Sequence, residues 1–98
     1  MLIAHVTFTV ALEDSRKALD ALVAESDQVR AMPGSIAFIP FQDATDPQKV
    51  GVIHEWKTQQ DFEDYTSSDE FARVGQTLRP MMLAPPVSHR FDATLLTV

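Results

Sequence analysis

The chain has 98 residues, 45% of them hydrophobic and 22% charged, which is the make-up of one folded domain and not of a disordered segment. Fourteen acidic and eight basic side chains leave a net charge of −6. The cations Arg16, Lys17, Arg30, Lys49, Lys57, Arg73, Arg79 and Arg90 are scattered, so neither nucleic acid nor an anionic membrane is expected as a partner. The absence of cysteine excludes disulfides, thiolate metal sites, iron–sulfur clusters and cysteine nucleophiles.

Residues 2–10, LIAHVTFTV, alternate as a strand, with Leu2, Ala4, Val6, Phe8 and Val10 on a dry face and Ile3, His5, Thr7 and Thr9 on a mixed one. Glu13, Asp14 and Ser15 offer an N-cap and early negative charge to a helix carrying Leu19, Leu22, Val23, Ser26 and Val29 at helical spacing. Pro33 and Gly34 stop that helix. The strand SIAFIPFQ follows, its Pro40 marking an edge or a bulge, and DATDPQ turns the chain.

In the third strand, KVGVIHEWK, Val50, Val52, His54 and Trp56 share the drier face. Thr58 with Asp61 resembles a capping box for a short helix bearing Phe62 and Tyr65. Ser67 or Ser68 caps the next helix, which points Phe71, Val74, Gly75 and Leu78 inward and ends near Pro80. VSHRFDATLLTV then alternates Val87, His89, Phe91, Ala93 and Leu95 as a fourth strand.

The order βαββαβ, with its second helix broken in two, is the α+β ferredoxin-like layout: a four-stranded antiparallel sheet with helices on one face. No linker or repeat divides residues 1–98, so a single domain is expected. The uncovered face would hold Ile3, Ala37, Ile39, Phe41 and Ile53, too apolar to leave wet, and a sheet-to-sheet homodimer is the simplest cover. No run reaches the roughly 18 apolar residues of a membrane span, and MLIAHVTFTV lacks a leader's basic start and cleavage site. The expectation is a soluble cytoplasmic protein with no membrane partner.

Several local patterns in order resemble the antibiotic biosynthesis monooxygenase family of dimeric α/β barrels. They are Val29-Arg30-Ala31-Met32-Pro33-Gly34 followed by Phe38, then Asp46-Pro47, Glu55-Trp56 ending a strand, Phe62 and Tyr65, Ser68 with Phe71, and Leu78-Arg79-Pro80. The resemblance implies a cavity between sheet and helices that takes a phenol, anthrone or quinol and lets it react with dioxygen without flavin, haem or metal. Such a substrate supplies its own electrons, so the protein need only orient it, exclude water and move protons. No cofactor is expected, and His5, His54 and His89 lack metal-ligand spacing.

On this resemblance the catalytic candidates are His54 as general base, with Tyr65 and Arg79 as contacts to a phenolate or oxyanion. Relatives often carry glutamate where His54 stands, and histidines where Tyr65 and Glu70 stand. Phe38, Trp56, Phe71, Gly75 and Leu78 are the expected walls, with His89 facing the cavity opposite His54. The haem-degrading branch is rejected, because this chain has no asparagine and places Tyr65 and Gly75 where that branch has tryptophan and its ligand histidine. Met81 and Met82 suit either a lid over a flat ligand or a plug at a helix end. Against the oxygenase stands a non-catalytic aromatic-ligand-binding or stress-response protein of the same dimeric α/β barrel shape, with binding favoured if His54 and His89 are both locked in core hydrogen bonds; a purely structural dimer would have no cavity.

Overall fold

The computed structural model describes residues 1–97. Strand β1, Leu2–Thr9, leads through a single 3₁₀ turn at Leu12–Asp14 into helix α1, Ser15–Arg30. Strands β2, Ser35–Gln42, and β3, Lys49–Trp56, form a hairpin, followed by helices α2, Gln59–Thr66, and α3, Asp69–Leu78. A second 3₁₀ turn, Arg79–Met81, precedes strand β4, Val87–Asp92. All pairings are antiparallel in the order β2-β3-β1-β4. This is the α+β ferredoxin-like fold expected from the element order.

Alternation in β1 and β3 does what its period requires. Ala4, Phe8, Val50, Val52, His54 and Trp56 turn under the helices and are buried. Phe38 of β2 joins them at 1% exposure, whereas its neighbour Ile39 faces outward at 48%. Beneath the helices Leu22, Val29, Phe62, Tyr65, Val74 and Leu78 complete the core. Val23, expected on the inward stripe of α1, is exposed; Ala18 takes its place.

Capping divides the expectations. Thr58 Oγ1 accepts from the Asp61 amide at 3.1 Å and Ser68 Oγ accepts from the Phe71 amide at 3.2 Å, opening α2 and α3 as anticipated. At α1 no side chain caps the helix: the 3₁₀ turn runs straight into it, and Ser15 donates back to the Leu12 carbonyl at 2.6 Å. Gly34, at φ 79°, makes the left-handed turn between α1 and β2 that an L side chain resists. Pro40 sits on an edge strand, but the register shift falls between Ser35 and Ala37, leaving exposed Ile36 as the extra residue. Arg30 covers part of that edge by donating to the Phe38 carbonyl at 2.8 and 3.2 Å.

The last strand corrects the reading twice. It ends at Asp92, so Ala93 and Leu95 lie beyond it, and Val98 falls outside the described residues. Its register pairs His5 with His89, Ile3 with Phe91 and Thr7 with Val87, which sends the apolar stripe to the open face of the sheet and Arg90 to the helix side. Among the described residues no helix is long and apolar enough to cross a membrane.

Candidate functional site

Between the helix-side face of the sheet and α3 lies a cavity of about 130 Å³. The sheet contributes Val6, Phe8, Phe38, Val52 and His54; α1 contributes Leu22, α2 Tyr65, and α3 Phe71, Val74, Gly75 and Leu78. Arg79, Met82 and Pro86 line it from the segment between α3 and β4. Most of the wall is aliphatic or aromatic, and only His54, Tyr65 and Arg79 bring polar side chains to it.

His54 and Trp56 are two residues apart on β3 and therefore share a face, close enough for the indole Nε1–H to donate to His54 Nδ1 at 2.8 Å. Indole nitrogen only donates, so this bond has one direction: Nδ1 carries no hydrogen and the neutral ring carries its proton on Nε2. Tyr65 stacks on Trp56 with ring centres 5.1 Å apart and meets His54 edge-on at 5.7 Å. Phe38 and Phe62 stand 6.0 and 5.6 Å from the imidazole. Burial in this aromatic box pushes the His54 pKa down to about 4, with smaller contributions from Arg90 and His5. Burial likewise pushes Tyr65 up to about 12, helped by the charges of Glu25 and Glu70.

Ser35 Oγ is the only fully buried side-chain nitrogen or oxygen without a partner among the described residues. His54 Nε2 and the Tyr65 hydroxyl have no partner among the described residues and are not fully buried, and both residues line the cavity. Arg79 folds back along α3 so that a Cβ on Gly75 would lie 3.5 Å from its guanidinium carbon. The glycine is thus the floor under a cation, and an added methyl would meet that cation at ordinary contact distance. No carboxylate among the described residues lies within ion-pair distance of Arg79.

His54, Tyr65, Arg79, Phe38, Phe71, Gly75 and Leu78 are thus brought together around one space. Two anticipated residues are not. His89 stands across from His5 on the opposite face of the sheet, because register with β1 and not its own hydropathy sets which way it points. Trp56, fully buried, does not wall the cavity; it stands behind His54 and holds it. The general-base assignment for His54 also changes, since the lone pair on Nδ1 is occupied and Nε2 carries hydrogen. Met82 is no free lid, being held by a bridge to Val10. Arg90, in the sequence only one of the scattered cations, lies 4.9 Å over the Phe62 ring, and counting outward from Ala4, its partner on β1, finds its face. Among the described residues no three His, Cys, Asp or Glu side chains converge to hold a metal.

Residues 1–76, which include His54 and Tyr65 but stop before Arg79, match the model of the antibiotic biosynthesis monooxygenases. The chain belongs to that family. Solved structures show the same fold. A Nitrosomonas europaea protein assigned as an antibiotic biosynthesis monooxygenase superposes with a TM-score of 0.90 at 19% identity, over 97% of this chain and 100% of that one. A Deinococcus radiodurans protein with the same assignment gives 0.91 at 14% identity, over 100% and 97%. A third, from Caulobacter crescentus, gives 0.88 at 17%, over 96% and 90%. No curated protein matches the chain.

Proposed function

We propose that this antibiotic biosynthesis monooxygenase family member binds a flat phenol, anthrone or quinol in the cavity and lets it react with dioxygen. The observation that carries this reading is the pairing of an apolar, aromatic-walled cavity with two hydrogen-bond donors among its lining residues, the His54 imidazole and the Tyr65 phenol. The substrate anion supplies the electrons. One oxygen atom of O2 becomes a new carbonyl on the substrate carbon and the other leaves as hydroxide with the anion's remaining hydrogen, which the proton released on ionisation converts to water, so no electron need come from the protein. His54, Tyr65 and Arg79 bind the substrate oxygen, and Phe38, Phe71 and Leu78 hold the ring plane. A second copy of the chain covers the open sheet face, which exposes Ile39, Val87 and Phe91.

The locked imidazole favours a second reading, aromatic-ligand binding without turnover. Oxygen uptake decides between them, measured with metal-stripped protein and a panel of anthrones, naphthoquinols and dihydroxynaphthalenes. Uptake above autoxidation that falls at least about tenfold in Tyr65→Phe, corresponding to about 1.4 kcal/mol, supports the oxygenase. Saturable binding with no uptake supports the binder, and neither would remove both.

A further inference from the structure

Each polar side chain on the cavity wall meets a ligand with hydrogen. His54 offers Nε2–H because Trp56 fills its Nδ1 at 2.8 Å. Tyr65 offers its hydroxyl, and Arg79 offers a guanidinium that no described carboxylate neutralises. No aspartate or glutamate among the described residues lines the cavity. The charged groups beyond it do not change this balance: Arg90 of β4 acts on His54 from the helix side and His5 of β1 from the far side of the sheet, while Glu25 of α1 and Glu70 of α3 act on Tyr65 and hold its proton in place. Nothing in such a wall takes up the proton of a phenol, and every polar group in it suits the anion.

We propose that Trp56 is a positioning residue that holds His54 as a hydrogen-bond donor, and that the cavity takes its aromatic ligand already ionised, as a phenolate or enolate. The inference rests on the reading of this cavity as an aromatic-ligand site, and it holds with or without turnover. It narrows the substrate class to aromatic acids that ionise in water near neutral pH, such as phenols and naphthols carrying a nitro, acyl or other electron-withdrawing substituent. The ligand's proton goes to bulk water before binding, and no protein group changes its protonation state. The pH dependence of kcat/KM therefore follows the ionisation of each substrate across a series and not a fixed protein value.

The test uses 4-nitro-1-naphthol, whose neutral and ionised forms absorb at different wavelengths, titrated with the intact protein at pH values spanning the probe's own pKa. The bound probe is expected to show its anion spectrum below that pKa, displaced by about one unit, which is about tenfold tighter binding of the anion than of the neutral form. In ¹⁵N correlation spectra of the wild-type chain, His54 should show an unprotonated Nδ1 and a protonated Nε2. Trp56→Phe should mix the tautomers and shrink the probe's displacement. His54→Gln, whose amide oxygen accepts from Trp56 while its NH2 donates to the ligand, should retain it. Because Trp56→Phe removes a fully buried indole, the two wild-type spectra decide even if that variant does not fold. A probe bound in its neutral form, or a His54 protonated on Nδ1, overturns the proposal and leaves the cavity reading intact. No saturable spectral change with any naphthol overturns the cavity reading itself.

Discussion

The two faces of the sheet are built from the same strands, one residue out of phase, and they have different chemistry. On the helix side, Phe38, His54 and Trp56 are buried to within a few per cent, Trp56 donates to His54, and His54 lines the cavity with Phe38. On the other side, Ile39, Val87 and Phe91 stand exposed beside the cross-strand pair His5 and His89, with Phe91 edge-on to His5 at 5.3 Å. The buried face satisfies its needs within one chain, and the open face does not. That contrast separates what the chain does with a small molecule from what it does with another copy of itself.

The sharpest way to break the comparison is to truncate neighbours that point opposite ways on β2. Phe38→Ala should cost about 3–5 kcal/mol in urea denaturation, as buried aromatic deletions do, and should enlarge the cavity. Next in size is a pH effect. The folded pKa of His54, about 4, lies below its ordinary 6.5, so between these values the unfolded chain binds the extra proton. Stability should fall as pH drops through that window, at up to about 1.4 kcal/mol per pH unit, and be regained as pH rises. His54→Gln should flatten this slope in melting curves between the same limits. The Glu25–Arg73 pair, whose charge-assisted bonds at 2.8 Å hold the Glu25 carboxyl below its usual 4.5, begins to lose its contribution only as pH falls below 4.5, so the histidine slope is read between that value and 6.5.

Ser68→Ala should cost about 1 kcal/mol by removing the cap of α3, and it should loosen the wall carrying Phe71 and Gly75, weakening probe binding without changing the probe's pKa. Smallest is Ile39→Asp on the open face. It should leave the stability of the isolated chain within about 0.5 kcal/mol, yet convert a two-copy species to single chains in sedimentation. If Ile39→Asp instead destabilises the chain as much as Phe38→Ala does, the contrast between faces is wrong.

Much of the architecture was legible because strands β1 and β3 carry clean two-residue alternation, and because Thr58 and Ser68 announce the break between α2 and α3. The orientation of β4 was not. Its two stripes, Val87-His89-Phe91 and Ser88-Arg90-Asp92, suggest by hydropathy that the first goes inward; the observed register, closed by the reciprocal bonds of Met1 and Ala93 at 2.7 and 2.8 Å, sends it outward. Which face an edge strand shows depends on its partner, and one strand's pattern does not contain that. At the site, period two already placed His54 beside Trp56, but the direction of the proton between them depends on χ angles that no spacing encodes. Arg79 over Gly75 was half visible, as a glycine on an inward stripe four residues before an arginine.

The central claim is that the helix-side cavity, and not the open face, receives an aromatic anion. A crystal structure of the chain grown with 4-nitro-1-naphthol tests it most directly. The account places the ligand oxygen within hydrogen-bond distance of His54 Nε2 and the Tyr65 hydroxyl, with its ring between Phe38 and Leu78. A ligand seated beside His5 and Phe91, or one in the cavity whose oxygen turns away from His54, would contradict it.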